Sequence, residues 1–335
     1  MNYALVTGGA GFIGANYLNH RVPLSKEYHY INLDALTYAA NLNHIEVDGH
    51  SNYTFVKGDI RDKEFISELF KKYKFQKVVH FAAESHVDNS IHNPQAFVET
   101  NVNGTFNLLH AAYELWMNGP NQLKETYQNA RFLHVSTDEV YGSLGKEGLF
   151  TEKTPYAPNS PYSASKAASD FLVRSYYHTY QLPVVTTNCS NNYGPCQHDE
   201  KLIPTIIRKA VKGENIPIYG DGQNIRDWLF VLDHCKGIEL VFQKGRLGET
   251  YNIGGRNERT NSYIAEKICS ILDQIKPLPA KASYKSQISF VEDRPGHDQR
   301  YAIDASKLEQ ELGWKAAENF ETGIEKTISY YLEKY

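Results

Sequence analysis

Tyr3 to Val6 reads as a short buried strand, and it runs into Thr7-Gly8-Gly9-Ala10-Gly11-Phe12-Ile13-Gly14, followed by a helical pattern. Strand, glycine-rich turn and helix in that order constrain the fold more than any other stretch, because they form the opening of a dinucleotide-binding unit. Glycines let the backbone turn tightly and approach a pyrophosphate, whose negative charge then faces the helix N-terminus. Gly9, Gly11 and Gly14 satisfy G-x-G-x-x-G, and Gly8, Gly11 and Gly14 satisfy the looser G-x-x-G-x-x-G. A lone match carries little weight. Asp34 strengthens it by closing a second strand, Tyr28 to Leu33, about 20 residues after the glycines, where an acid binds the adenosine ribose hydroxyls. An acid there also repels a 2′-phosphate, so the expected cofactor is NAD rather than NADP.

The alternation continues with a strand at Thr54 to Lys57, then Gly58-Asp59-Ile60, a helical segment from Lys63 to Lys71, and a strand from Lys77 to Phe81 leading into Ala82-Ala83-Glu84-Ser85-His86. Strands alternating with helices predict an α/β fold with a Rossmann-type, doubly wound parallel sheet, whose ligands bind beyond the C-terminal strand ends. Asp59, Phe81 to Ser85 and Thr100 fall near that edge. The pattern Val98 to Met117 reads as one long core or interface helix. Arg131 to Ser136 is the next strand, and it delivers Thr137-Asp138-Glu139 to the same edge. Neighbouring carboxylates in a partly dry site push their pKa values apart, which makes Asp138 and Glu139 candidates for a general acid and a general base.

Ser160-Pro161-Tyr162-Ser163-Ala164-Ser165-Lys166 opens a helix that runs to about Tyr180. Ser160 suits the cap and Pro161 the first helical position. Tyr162 and Lys166, four apart, share a face. A phenol of pKa about 10 becomes a base at neutral pH if its anion gains roughly 4 kcal/mol. One cation about 4 Å away at an effective dielectric near 20 supplies that much. The pair is therefore a candidate base and its activating ammonium, provided that a cofactor site adjoins it.

After a strand at Val184 to Asn188 the pattern changes to short segments rich in Asn, Pro, Gly and Tyr, mixed with helices at Leu202 to Lys212, Asp233 to Gln243 and Tyr263 to Asp273. The expected organisation is an NAD-binding domain over residues 1–188, with later segments returning to it, and a smaller C-terminal lobe over 189–335 that mainly binds substrate. Lys201, Arg226, Arg294 and Arg300 sit in or beside turns of that lobe and are candidates to clamp a diphosphate, for which Arg offers bidentate donors.

A net charge of -4 gives no general attraction to nucleic acid or an anionic membrane. Cys189, Cys196, Cys235 and Cys269 show neither C-x-x-C spacing nor the density of a disulfide scaffold, so a cytoplasmic setting is expected. The N-terminal residues have no charged segment or apolar run of signal-peptide type, and no metal site is expected.

Taken together these motifs resemble the extended short-chain dehydrogenase/reductases, and among them the NAD-dependent sugar epimerase/dehydratase family. The resemblance runs nearly end to end through Thr7 to Gly14, Asp34 to Tyr38, Gly58 to Ile60, Ala82 to Asp88, Thr137 to Gly142, Tyr162 to Lys166, Asn188 to Pro195, Tyr219 to Trp228 and Asp293 to Tyr301. It implies that Phe12, Ile13, Asp34, Ala35, Leu36, Thr37, Asp59, Ile60, Phe81, Ala82, Ala83, Glu84, Ser85, Thr100 and Cys189 line NAD beside the glycines. It implies substrate contacts from Ser85, Thr137, Asn188, Lys201, Leu202, Pro217, Ile218, Tyr219, Arg226, Asn261, Asp293, Arg294, Pro295, Gly296 and His297. Two positions depart from the family pattern: Ala40, where glycine is expected, and Asn89, where arginine is expected.

The implied activity is that of a lyase acting on a nucleotide sugar, with dTDP-D-glucose dehydrated to its 4-keto-6-deoxy product for deoxysugar biosynthesis. Tyr162 takes the 4-hydroxyl proton while Thr137 holds that hydroxyl, Glu139 removes the C5 proton, and Asp138 protonates the departing 6-hydroxyl. NAD is expected to stay tightly bound and to be regenerated in each turnover. The alternatives are a 4,6-dehydratase of another nucleotide sugar such as UDP-glucose, a UDP-sugar 4-epimerase, and a non-catalytic NAD-sensing protein. An epimerase has no use for the Asp138-Glu139 pair, and a sensor has no use for the whole catalytic set. The resemblance further implies a homodimer built through a four-helix bundle.

Overall fold

The computed structural model describes residues 2–335. Seven strands form one parallel sheet: β1 (Asn2–Thr7), β2 (Tyr28–Asp34), β3 (Tyr53–Lys57), β4 (Lys77–His80), β5 (Arg131–Thr137), β6 (Val184–Cys189) and β7 (Thr250–Ile253). Their spatial order is β7-β6-β5-β4-β1-β2-β3. The strands are apolar on both sides, and successive residues feed different layers. Ala4 and Val6 of β1 join one core while Leu5 joins the other, and Leu133 and Val135 of β5 oppose Phe132 in the same way. Such strands require helices on both faces.

One face is covered by helix α1 (Phe12–Arg21) through Ala15, Tyr17 and Leu18, and by the helix Val231–Lys244 through Cys235, Ile238 and Val241. The other is covered by α2 (Lys63–Tyr73), α4 (Thr105–Trp116) and α5 (Pro161–Tyr180). Between α2 and α4 a short helix, α3 (Val87–His92), follows the C-terminal end of β4. The chain thus returns to the first layer after residue 189, with Val231–Lys244 packing on α1 and β7 closing the sheet edge.

The rest of the second half forms a lobe with its own core. Strands Glu258–Thr260, Ile225–Phe230 and Asn191–Tyr193 make a three-stranded sheet, and Ile216–Tyr219 pairs in parallel with Ile288–Val291. Helices Leu202–Lys212, Asn261–Ile275 and Phe320–Lys334 bury Ile206, Ile207, Ile264, Ile268, Phe320 and Ile324 against these strands.

Two local structures orient the site. Ser160 caps α5 by accepting from Ser163 N, the Ser163 hydroxyl accepts from Ser160 N, and Pro161 takes the first position. The expected single helix from Val98 to Met117 is corrected. Val98–Gly104 forms a π-helical turn, and only Thr105–Trp116 is α-helical. The cause is tertiary. Asn101 is drawn out of register to bond Glu84 N (2.8 Å), Glu84 O (3.0 Å) and Ser165 Oγ (2.8 Å), and a wider turn accommodates such a distortion.

Candidate active site

A cavity of about 330 Å3 runs along the C-terminal ends of the sheet strands. Gly8, Gly11, Phe12, Ile13 and Gly14 line it from the first turn, Asp34, Ala35 and Thr37 from the end of β2, and Asp59 and Ile60 from the end of β3. Phe81 to Ser85 enter after β4, Thr100 from the π turn, and Thr137, Asp138 and Glu139 after β5. Tyr162 and Lys166 enter from α5, Cys189 from β6 and Lys201 from the lobe. Residues far apart in sequence are therefore brought to one wall, where a parallel sheet presents its ligands.

At the β1 end the glycines are required. Gly8 has φ +71°, and a Cβ on it would lie 2.6 Å from Ala82 N. A Cβ on Gly14 would strike the Gly8 carbonyl oxygen. Asp34 accepts from Ala10 N and Leu36 N, both at 2.9 Å, and so ties the glycine turn to β2. Burial raises its carboxyl above the ordinary value, and those two amides oppose the rise. Burial also pushes up Asp59, but Arg61, bonded at 2.6 and 2.9 Å, outweighs it and holds that carboxyl low.

At the β5 end the two carboxylates differ in their surroundings. Asp138 is fully buried, its Oδ2 has no partner, and its Oδ1 accepts a long 3.4 Å bond from the Thr137 hydroxyl. Burial, then the charges of Glu139 and Asp227, push Asp138 well above the usual carboxylate range. Burial raises Glu139 too, but it keeps part of its surface open, and Arg294, Arg226 and Lys201 all favour its anion. Both carboxyls are raised by burial, and their neighbours then push them apart: like charges raise Asp138 further, and cations hold Glu139 back, which is the kind of pairing that acid–base chemistry on adjacent carbons uses.

The tyrosine departs from expectation. Lys166 is buried, and its Nζ donates to the Val135 carbonyl at 2.9 Å. Burial lowers the ammonium's pKa, and the Asp170 carboxylate opposes that. The Tyr162 phenol is pushed well above 10 by burial and by the Glu139 and Cys189 side chains, against a hydrogen bond to Thr137. A buried ammonium needs an acceptor, and the end of β5 supplies one before the phenol does. The shared helix face brings the pair to the cavity without making Lys166 the phenol's direct partner.

Leu36, Asn188, Leu202, Pro217, Ile218, Tyr219, Arg226, Asn261 and Asp293 to His297 lie outside that lining. Leu36 has φ +58° just past Asp34. Asn188 is buried in β6, where it donates to the Tyr141 and Tyr156 hydroxyls at 3.0 and 3.1 Å. Ile218 is buried in the lobe core beside the half-buried Pro217, while Leu202 and Asn261 begin helices. Arg226 is buried, stacks on Tyr301 with its Cζ 4.2 Å from the ring centroid, and donates to the carbonyls of Ile225 and Asp298 at 2.8 and 2.9 Å. Arg300 does not join the diphosphate candidates. It is held by Glu258 at 2.6 and 2.9 Å and by the carbonyls of Gly145 and Gly148.

Residues 5–327 match the family model described as GDP-mannose 4,6 dehydratase. A dTDP-glucose 4,6-dehydratase of Xanthomonas campestris pv. campestris (strain B100) is 57% identical over 329 residues, which is 98% of this chain and 92% of that one. The chain belongs to the nucleotide-sugar 4,6-dehydratase family. Two solved members of the dehydratase family share its fold. The dTDP-glucose 4,6-dehydratase of Streptomyces venezuelae, with NAD and dTDP bound, superposes with a TM-score of 0.88 at 43% identity, covering 99% of this chain and 97% of that one. The enzyme of Bacillus anthracis, in complex with NAD, gives 0.85 at 46% identity with the same coverage.

For a member of this dehydratase family the sequence reading was incomplete around the cavity. Ala40, Arg61, Asn191, Gln197, His198 and Glu200 also line it. Arg61 could have been found from Asp59, two residues before it. Gln197 to Glu200 carry no motif, and they reach the cavity because Tyr38 and His198 meet edge to face at 5.6 Å, with the Tyr38 hydroxyl on Glu200 at 3.2 Å.

Proposed function

We infer that the protein is an NAD-dependent lyase that dehydrates dTDP-D-glucose to dTDP-4-keto-6-deoxy-D-glucose. The observation that carries this reading is the Asp138–Glu139 pair in the same cavity as Tyr162: burial raises both carboxyls, but Asp138 is raised further by like charges while Glu139 faces Arg294, Arg226 and Lys201. The residues present fit the cofactor: the Gly8–Gly14 turn leaves no room for side chains where a pyrophosphate approaches α1, and Asp34 stands at the ribose end. The chemistry such a group supplies when bound is reversible hydride transfer, away from C4 and back to C6.

This chain's residues do the rest. Tyr162 would accept the proton of the 4-hydroxyl as a phenolate, which the positive charges of Lys166 and of an oxidised nicotinamide favour against the burial that raises it, and Thr137 beside it holds that hydroxyl. Lys166 holds its ammonium at the end of β5, on the cavity wall, bonded to the Val135 carbonyl. The 4-ketone acidifies the C5 proton, which Glu139 removes with its anion supported by Arg294, Arg226 and Lys201. Asp138, kept neutral by burial, donates its proton to the leaving 6-hydroxyl, and water departs. Lys201, Arg226, Arg294 and the segment around Asp293 to His297 grip the diphosphate from the lobe side, so residues 1–188 serve mainly the cofactor and 189–335 mainly the substrate.

A second copy of the chain is part of this proposal. Val98, Phe106 and Phe171 are 50%, 39% and 57% exposed on the π turn, α4 and α5, and large apolar side chains left uncovered on these elements favour their pairing in a four-helix bundle. A monomeric mass by light scattering would overturn it. Among the described residues no helix is long and apolar enough to cross a membrane, and the four unpaired cysteines favour a cytoplasmic enzyme. Steady-state assays on dTDP-glucose, UDP-glucose and GDP-mannose side by side test the substrate assignment. Preference for dTDP-glucose is expected, and a preferred GDP- or UDP-sugar refutes it.

A further inference from the structure

Asp88 lies in the first turn of α3, on the sheet side of the cleft, yet both its oxygens are taken by the lobe. Oδ1 accepts from Arg294 NH1 at 3.2 Å, and Oδ2 accepts from the Tyr219 hydroxyl at 3.3 Å. Tyr219 ends the strand Ile216–Tyr219, and Arg294 follows the strand Ile288–Val291 that pairs with it. One carboxylate therefore collects two side chains from adjacent strand ends across the cleft.

The Arg294 guanidinium is only partly used. NH1 is held by Asp88, whereas Nε is buried without a partner and NH2 makes no hydrogen bond among the described residues. A guanidinium presents five N–H groups in a rigid fork, so fixing one nitrogen fixes the direction of the remaining edge. That edge is an unpartnered pair of donors on the cation whose charge most favours the Glu139 anion. The Asp88 bonds themselves are long, and the Arg294 and Asp88 side chains are 24% and 28% exposed, so the pair adds little to folding stability. Orientation is what it supplies.

We propose that Asp88 is a positioning residue for the nucleotide sugar: it anchors NH1 of Arg294, and the hydroxyl of Tyr219, so that the free Nε–NH2 edge meets the diphosphate. The assignment rests on reading Arg294 as a diphosphate ligand. Asp88 itself touches no substrate atom. Its carboxylate acts through the arginine, much as outer groups orient metal ligands.

Calorimetric binding of dTDP to the NAD-loaded enzyme tests this without turnover, alongside KM and kcat for dTDP-glucose. Asp88→Ala removes a charge-assisted bond at a partly exposed site and is expected to weaken dTDP binding and raise KM on the order of 5- to 10-fold. Its kcat stays within about two-fold and its NAD content does not change. Asp88→Asn keeps an acceptor for NH1 and stays within about two-fold of the parent in dTDP binding. Arg294→Ala weakens dTDP binding by about 10-fold or more, and the double variant is no weaker than Arg294→Ala alone, because the two act as one unit. Asp88→Ser replaces the alanine variant if that one fails to fold. Asp88→Ala binding dTDP as the parent does, or more tightly because the carboxylate competes with phosphate, overturns the proposal, as does an additive double variant. Arg294→Ala binding dTDP like the parent removes the diphosphate reading itself. If Arg294→Ala is weakened and Asp88→Ala is not, only the role of Asp88 fails.

Discussion

Replacing Glu139 by Gln separates the elimination from the oxidation that precedes it. The substitution keeps the shape of the side chain and removes its charge, so Tyr162 and Thr137 still meet the 4-hydroxyl while the C5 proton has no base. Losing a general base costs about 10²- to 10⁴-fold, or roughly 3 to 5 kcal/mol on the barrier at 1.36 kcal/mol per tenfold. Arg294, Arg226 and Lys201 lose the carboxylate they face, and Asp138 loses the larger of the two neighbouring charges that hold it protonated. Both changes hinder elimination and neither hinders oxidation. Rapid mixing of dTDP-glucose with excess enzyme, followed at the reduced nicotinamide band, should show a standing reduced population that the parent enzyme shows far more weakly. Asp138→Asn should give a milder accumulation, since Glu139 can still act while the 6-hydroxyl leaves without its acid. A Glu139→Gln enzyme that forms the 4-keto-6-deoxy product at the parent rate, with no standing reduced cofactor, refutes the assignment and reopens an epimerase-like site.

Tyr162→Phe should abolish both cofactor reduction and product while leaving NAD content unchanged by denaturation and chromatography; a normal reduction burst would remove Tyr162 from its role. In the parent enzyme the acid limb of kcat should lie above the ordinary glutamate value of 4.5, because burial raises Glu139, and that limb should be lost in Glu139→Gln. Arg226→Ala should lower Tm as well as weaken substrate binding, because it strips the partner from the Asp298 carbonyl and from the Tyr301 ring; an unchanged Tm would contradict its structural part. Burial pushes the Asp170 carboxyl up to about 6 from 3.8. A raised folded-state value favours the fold when protonated, so the contribution of Asp170, on the order of 3 kcal/mol, should be present below pH 3.8 and lost as pH rises through about 6. Denaturant titrations of the parent and Asp170→Asn across that window should diverge; parallel curves would show that Asp170 does not titrate there.

Much of the sheet and one wall of the site were legible because they are written locally. Each strand of the first 188 residues carries an apolar run ending in a glycine or polar turn, and parallel pairing then brings Thr7, Asp34, Thr137 and Cys189 to one edge. What was not legible is set by contacts distant in sequence. No local pattern says that Asn101 abandons its helix for Glu84 and Ser165, so the π turn looks like ordinary helix. Lys166 and Tyr162 are four apart either way, and only the position of the Val135 carbonyl decides where the ammonium goes. Arg226, Arg294 and Arg300 are equivalent as charges in loops, yet one stacks on Tyr301, one spans the cleft to Asp88, and one is consumed by Glu258. Asp88, quoted only as the end of the Ala82 to Asp88 stretch, was given no role for the same reason: its partners lie 131 and 206 residues away.

The most direct test of the central claim follows the C4 hydrogen. Incubating the enzyme with dTDP-glucose deuterated at C4, and reading the product by NMR and mass spectrometry, asks whether one site oxidises C4, eliminates water and reduces C6. The expected product carries the label in its C6 methyl group, with a solvent-derived hydrogen at C5 and no label released to free cofactor. Label retained at C4 of an epimerised hexose product, or transferred to cofactor in solution, would contradict the account.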